Sequence, residues 1–201
     1  MEKLVKTART IDVFLKIAEV MVIVGAIILI ALDMVLLVFS ALGTLEISDG
    51  AVIGATFGKT RLILATGAEG DVYEFVKAYT VMCVGAVVML AVGYAGIRLF
   101  RKILAPMKEG APFAEGISRD IKRFGIFTLV AGLAGGAVQF ALAAVVNAIF
   151  GALAESGALI WETSDYLTVE GNFVLVAVVA FLLSYVFKYG EELQRQSDET
   201  L

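Results

Sequence analysis

One aspartate lies deep inside a long apolar segment, where a carboxylate is costly. Asp33 comes sixteen residues after Ile17, the start of that segment, which is about 24 Å along a helix. A charge at the centre of a bilayer costs roughly 2.5–3.5 kcal/mol, so such a residue is a candidate for handling protons or ions. Sixteen residues after Arg123 is Gln139, and sixteen residues before Lys188 is Asn172, each in another apolar segment. We therefore predict a polar layer of these three side chains. The alternative is that Asp33 is a neutral, hydrogen-bonded contact between helices.

Glu19 is a second acidic candidate, close to the start of the same segment. Its context, Ala18-Glu19-Val20, is similar to the first helix of the small multidrug resistance exporters, which carries a glutamate. The alternative is a carboxylate at headgroup level beside Lys16. Asp33 or Glu19 would serve a small proton-coupled transporter or a lipid- or small-molecule-binding protein. Four helices are few for a solute pathway, so such a transporter would need to be a dimer.

Signatures of catalysis are missing from the sequence. The chain has no histidine, which removes the usual general base and the commonest metal ligand. Its one cysteine, Cys83, lies inside an apolar segment. The motifs of zinc proteases, serine hydrolases and phosphate-binding loops do not occur. We predict a protein that is not an enzyme and that uses no metal and no cofactor.

The candidate residues lie on or beside four apolar segments. Each segment is long enough, or nearly so, to cross a hydrocarbon core of about 30 Å. The 201 residues are 60% hydrophobic, and the apolar ones gather in blocks. This composition predicts a membrane all-α protein, a four-transmembrane-helix bundle in a single domain over residues 1–201. The predicted spans are 17–43, 76–97, 124–153 and 171–187.

Basic residues are distributed unevenly between the connecting segments. Of the 16 Lys and Arg residues, 13 fall in the N-terminus, the middle loop 98–123 and the tail 188–201. The other 3 lie in or beside the loops 44–75 and 154–170. By the positive-inside rule, both termini and the middle loop are cytoplasmic, and the other two loops lie outside.

The first outer loop has the composition of a small β-structure. Residues 51–66 are rich in β-branched side chains and are punctuated by glycines, which predicts two or three short strands. Residues 166–169 of the second outer loop are candidates to complete the sheet. Because an isolated hairpin is marginal in water, we expect it to pack on the helix ends or on a copy of itself.

The basic inner loop is predicted to lie against the membrane surface. Its second half, from Phe113 to Phe124, has apolar residues at helical intervals and predicts a cytoplasmic interfacial helix leading into the third span. A basic side chain near anionic headgroups gains about 1 kcal/mol. No nucleic-acid-reading module is evident, so lipid is the expected partner. The predicted lipid contacts are Arg98, Arg101, Lys102, Arg119, Lys122 and Arg123.

Small residues at four-residue spacing predict close packing of helices. Gly132 and Gly136 form a GxxxG pair in the third span, and Ala91 and Ala95 repeat the spacing in the second. The packing partner is a helix of the same bundle or of a second protomer. A homo-oligomer is therefore one alternative.

The polar tail is predicted to extend the fourth helix and to bind a partner through Leu193, Arg195 and Asp198. Its sequence, Lys188-Tyr-Gly-Glu-Glu-Leu-Gln-Arg-Gln-Ser-Asp-Glu-Thr-Leu201, resembles the C-terminal signature of a bacterial membrane-protein family known as domain of unknown function 2975. Gly110-Ala-Pro-Phe113, with the basic helix that follows up to Gly125, is similar to that family's Pro-Phe segment. Elsewhere the resemblance is limited to four apolar spans.

The resemblance implies a four-helix protein of the bacterial cytoplasmic membrane, often encoded beside a helix-turn-helix regulator. It supplies no catalytic residues. The leading hypothesis is a non-enzymatic sensor or regulatory protein that couples an outer or membrane cue to a cytoplasmic partner such as that regulator. The transporter or ligand-binding protein described above is the alternative, and a self-protection protein against a membrane-active peptide is a third hypothesis.

Overall fold

Four long helices and three short strands make up the described part of the chain. The computed structural model describes residues 2–43, 53–57, 60–64, 72–155, 159–162 and 171–199. The elements in chain order are α1 (Glu2–Ala41), β1 (Ile53–Phe57), β2 (Thr60–Leu64), α2 (Val72–Lys108), α3 (Ile117–Glu155), β3 (Leu159–Glu162) and α4 (Asn172–Glu199).

Each of the four helices is long and apolar enough to cross a membrane. In the most apolar stretch of α1, 6% of the residues are buried within the protein. Met21, Ile27 and Ile28 are all more than 60% exposed. A helix that is apolar on all sides is typical of a membrane span or of the interior of a large protein. The predicted set of four apolar helices is confirmed, and it is compatible with a four-helix bundle.

The end of α2 follows from its last residues. Pro106 lies in the final turn, and Gly110 has a φ of 84°, a left-handed conformation that glycine adopts without strain. The N–H of Ala111 donates to the carbonyl of Pro106, and the N–H of Gly110 donates to that of Met107. This pair of hydrogen bonds is the Schellman motif, which satisfies the carbonyls of the last turn. The helix therefore ends where Pro106 and Gly110 restrict the backbone.

The strands form a three-stranded antiparallel sheet in the order β1-β2-β3. In β1 and β2, Ile53 pairs with Leu64 and Phe57 with Thr60. The third strand, β3, pairs with β2 at its other edge. It begins at Leu159, whereas the segment 166–169 that the sequence offered as a third strand lies outside the described residues.

The internal contacts divide the chain into two compact units. Unit 1 comprises Met1–Ile23, Ala91–Ala134 and Val169–Leu201. Unit 2 comprises Val24–Leu90 and Gly135–Thr168. Each of the two candidate polar clusters lies within a single unit, the first in unit 1 and the second in unit 2.

The predicted interfacial helix is instead the beginning of α3. Ile117 and Ile121 are buried in the core of unit 1, together with Ile103 of α2 and Ala180 of α4. The ring of Phe124 packs 5.4 Å from that of Phe100. The apolar face of this segment therefore meets protein. Its helical spacing was visible in the sequence, but spacing does not distinguish a lipid surface from a neighbouring helix.

Candidate functional site

An ion cluster joins α1 to α2 within unit 1. Its members are Asp12, Glu19, Arg98, Arg101 and Lys108. Arg101 contacts both carboxylates, because its Nε lies 3.0 Å from Asp12 Oδ1 and its Nη1 donates to Glu19 Oε2. Lys108 Nζ lies 3.0 Å from Asp12 Oδ2, and Arg98 Nε lies 3.8 Å from Glu19 Oε1. The Arg101 guanidinium is therefore the bridge between two acidic residues of α1.

Helical periodicity positions the ion cluster. Residues seven positions apart lie two turns apart on one face of a helix, so Asp12 and Glu19 face the same neighbour. The same spacing relates Arg101 to Lys108. The side chain of Asp12 is 7% exposed and that of Arg101 is 25% exposed. Buried charges are tolerated when they are paired, so these contacts hold α1 against α2.

Several of the basic residues predicted to contact lipid have carboxylate partners within the protein. Arg101 and Arg98 bind carboxylates of α1, although the loop composition suggested lipid. Lys102 Nζ lies 3.0 Å from Asp120 Oδ1, and Arg123 Nη1 lies 3.5 Å from the same oxygen. A charge count along the loop could not reveal this, because the acidic partners of Arg98 and Arg101 are about 80 residues away in the sequence.

Glu19 is therefore an ion-paired residue in this structure. The headgroup-level interpretation placed it beside Lys16, but Lys16 Nζ lies 3.5 Å from Asp12 Oδ2. The two arginines of α2 supply the positive charge at Glu19.

Asp33 belongs to a second polar cluster, which lies within unit 2. Its side chain is buried, and Thr80 of α2 donates a hydrogen bond of 2.9 Å from Oγ1 to Asp33 Oδ1. The Cys83 thiol, about one turn further along α2, interacts with both Asp33 and the Tyr79 hydroxyl. Asp33 thus accepts a hydrogen bond that joins two helices. This is the alternative role given above, a hydrogen-bonded contact between helices.

The other two members of the predicted polar layer have different environments. Gln139 is half-buried on α3, and within the described residues no hydrogen bond joins it to Asp33. Asn172 is the first residue of α4 and is exposed. Counting sixteen residues assumed that every apolar segment starts at one level. Because the helices extend well beyond their apolar segments, the assumption of a common starting level gives an unreliable register.

Replacing Thr80 by valine is expected to lower the free energy of unfolding by about 1–3 kcal/mol, because the buried Asp33 carboxyl loses its donor. Asp33→Asn is expected to cost less, since the amide oxygen accepts the same hydrogen bond. Thermal unfolding in detergent measures both. Thr128→Val is the control, because the Thr128 hydroxyl bonds the carbonyl of Phe124 in its own helix. Equal losses for Thr80→Val and Thr128→Val would contradict the inter-helix role.

The beginning of α3 is tied to α4 by three hydrogen bonds within unit 1. The Ser118 N–H donates to Glu191 Oε1 at 2.7 Å, and the Ser118 hydroxyl donates to Glu191 Oε2 at 3.0 Å. The Ser184 hydroxyl donates to the Ser118 carbonyl at 2.8 Å. A carboxylate at a helix N-terminus satisfies a free N–H and interacts favourably with the helix dipole. Glu191 therefore caps α3 from another helix.

The same side of α4 packs against the segment before α3. The ring of Phe113 lies 5.5 Å from that of Phe187. At Gly190 a Cβ atom would overlap the Phe113 ring, so this close approach requires glycine. Together with Glu191, these contacts hold the polar extension of α4 in a fixed position.

Another side of the α4 extension is exposed. Val186, Tyr189 and Leu193 are 61%, 67% and 48% exposed, respectively. Their spacing of three and then four residues places them on one face of the helix. These three residues are called the tail stripe below. Two of them lie beyond Lys188, where the apolar segment of the helix ends.

The other two residues predicted for partner binding in the tail are Arg195 and Asp198. Arg195 Nε lies 3.6 Å from Glu199 Oε1 within α4, and both side chains are about 70% exposed. Such a pair contributes little to stability. Asp198 lies within α4, but its side chain falls outside the described residues. Leu193 is therefore the predicted tail residue with the most exposed apolar surface.

The small residues of the spans differ in their surroundings. A Cβ atom at Gly132 would overlap the Phe173 ring of α4, so α3 and α4 approach closely there. Gly136 is half-buried on the same helix. On α2, Ala95 is half-buried, while Ala91 is exposed.

Several residues at these sites were not identified from the sequence. Asp12 had a detectable signal, because it precedes Glu19 by two helical turns and α2 carries cations at matching intervals. Thr80 is one hydroxyl in an apolar run, and nothing local distinguishes it. Ser118 and Glu191 are 73 residues apart, so no local pattern predicts their pairing.

The described part of the chain contains no group of three or more Cys, Asp or Glu side chains that could hold a metal ion. Its four apolar helices are consistent with a multi-pass membrane protein. No protein-family model, curated protein or solved structure matches this chain. The resemblance to domain of unknown function 2975 stays a prediction.

Proposed function

We propose that this chain is a non-enzymatic membrane sensor or regulatory protein of a bacterial cytoplasmic membrane, whose α4 extension binds a cytoplasmic protein. The observation that carries the proposal is the tail stripe. Glu191 holds one side of the extension, and the tail stripe presents three exposed apolar residues on another side.

The geometry of the tail stripe suits a protein partner. A preformed helix loses little conformational freedom on binding, which favours affinity. Tyrosine is enriched among the residues that dominate interface energies. An amphipathic partner helix would meet Val186, Tyr189 and Leu193 as anchors at helical spacing. The resemblance implies the identity of such a partner, a helix-turn-helix regulator held at the membrane.

The proposed orientation has both termini and the basic middle loop in the cytoplasm and the three-stranded sheet outside. The positive-inside rule supports it. All 13 basic residues of the predicted inner segments fall within unit 1, and the other 3 fall within unit 2. The sheet is then placed to meet an extracytoplasmic cue, and the basic segments are placed near anionic headgroups.

Leu193→Asp and Tyr189→Ser are each expected to reduce retention of the neighbouring regulator at the membrane by at least about tenfold, because anchor residues commonly contribute 2 kcal/mol or more. The measurement is the fraction of regulator that sediments with membranes. Gln194→Ala is the matched control, since Gln194 is exposed but lies off the tail stripe. Unchanged retention in both stripe variants would overturn the proposed partner surface.

Asp33 supports a second candidate function, proton-coupled transport or binding of a small molecule. Its buried carboxyl lies beside Thr80, Tyr79 and Cys83, a group of polar side chains uncommon inside a span. For this function, Asp33→Asn would abolish ligand binding or transport in a protein that still folds. A variant that changes only thermal stability would leave Asp33 with a structural role.

A further inference from the structure

Three basic side chains lie together in a groove between the start of α3 and α4. Arg119 and Lys122 come from α3, Lys188 comes from α4, and all three are exposed. Within the described residues, none of the three has a carboxylate partner. The cations of the ion cluster, by contrast, are all paired with carboxylates. A group of unpaired cations creates a positive potential that attracts an anion.

The same groove has an apolar wall. Phe181 and Tyr185 of α4 line it together with the three cations. Phe181 and Lys188 are seven residues apart, about 10 Å along the helix. The groove therefore has an apolar part and a basic part in sequence along α4. Among its described lining residues none is acidic, although Lys188 also borders a neighbouring groove that includes Glu191 and Glu192.

We propose that this groove binds one anionic phospholipid, with the phosphate against Arg119, Lys122 and Lys188 and the acyl chain along Phe181 and Tyr185. A free phosphate would use the cations and leave the apolar wall unused, so the two-part lining favours a lipid. Both helices continue from the groove into their apolar segments. The inference rests on the membrane placement proposed above and is independent of partner binding by the tail stripe.

The test compares lipid adducts of the full-length protein by native mass spectrometry in neutral detergent. Phosphatidylglycerol is expected to be retained in preference to phosphatidylcholine. Replacing Arg119, Lys122 and Lys188 by glutamine is expected to weaken phosphatidylglycerol binding roughly 100-fold, since each cation near a headgroup is worth about a factor of five. Tyr185→Ala is expected to weaken it about threefold to tenfold through lost apolar contact.

A charge-matched control removes three positive charges outside the groove. Lys102→Gln, Arg123→Gln and Arg195→Gln together alter cations that already face carboxylates. This variant is expected to bind phosphatidylglycerol within about threefold of the unmodified protein. An equal loss in both triple variants would overturn the site in favour of general charge attraction.

Two further outcomes would also overturn the proposal. Displacement of the lipid by millimolar inorganic phosphate, with no effect of Tyr185→Ala, would identify a phosphate site. Equal retention of phosphatidylglycerol and phosphatidylcholine would show that the three cations do not select an anionic lipid. If the groove triple variant does not fold, Lys122→Gln replaces it, with an expected loss of about fivefold. Leu193→Asp is expected to keep full lipid selectivity, so failure of the partner surface and failure of the lipid groove are distinguishable.

Discussion

Arg101→Gln is expected to lower the melting temperature of the protein in detergent by at least about 5 °C. The guanidinium of Arg101 contacts Asp12 and Glu19 together, and glutamine cannot neutralise either. Lys108 and Arg98 each remain beside one carboxylate, but the bridge between the two acidic residues is lost. The melting temperature of Arg101→Lys is expected to lie between those of Arg101→Gln and the unmodified protein, since an ammonium lacks the planar fork that reaches both carboxylates.

The control for this prediction is Arg195→Gln, which removes one charge from an exposed pair and is expected to leave the melting temperature unchanged. A double variant supplies a sharper criterion. Asp12→Asn combined with Arg101→Gln is expected to lose less stability than the sum of the two single variants, because both remove the same contact. Strict additivity, or equal melting temperatures for Arg101→Gln and Arg195→Gln, would refute the proposed role of the ion cluster.

Gly132→Ala is expected to lower the free energy of unfolding by about 1–3 kcal/mol, since overpacking forces neighbouring side chains or helices to move. A methyl group at this position would overlap the Phe173 ring, so α3 and α4 must separate or the ring must leave its position. Adding Phe173→Ala is expected to recover part of the loss, because it removes the obstacle. Unfolding in detergent measures both variants.

Gly93→Ala is the matched control for the glycine prediction. It also adds one methyl group within a long apolar helix, but the space around a Cβ at Gly93 is open to at least 4 Å. No loss of stability is expected there, because alanine favours the helix more than glycine does. Equal stability of Gly132→Ala and Gly93→Ala would mean that α3 and α4 do not approach closely at Gly132.

The large-scale features of the fold were predictable from the sequence because they depend on composition averaged over many residues. Four apolar blocks indicate four long helices whatever their neighbours are. Local chemistry also sufficed at the end of α2, where Pro106 and Gly110 fix the backbone and leave few alternatives. The GxxxG spacing draws attention to Gly132, but it does not indicate that the Phe173 ring lies against that position.

The polar contacts were much less predictable, because they join residues far apart in the chain. The cations Arg98 and Arg101 were expected to face lipid, yet they pair with Asp12 and Glu19 of α1. Asp33 stands out in the sequence, but its partner Thr80 depends on the relative register of two helices. An error of one or two residues in that register changes which side chain it meets.

The most direct test of the proposed function is photo-crosslinking along the α4 extension in membranes, one position at a time, with the regulator as the expected product. The proposal predicts adducts from Val186, Tyr189 and Leu193, with the three- and four-residue spacing of one helix face. It predicts none from Phe187 or Glu191, whose side chains contact Phe113 and Ser118. Adducts with no helical periodicity, or adducts with lipid alone at all five positions, would contradict the claim that the tail stripe binds a cytoplasmic protein.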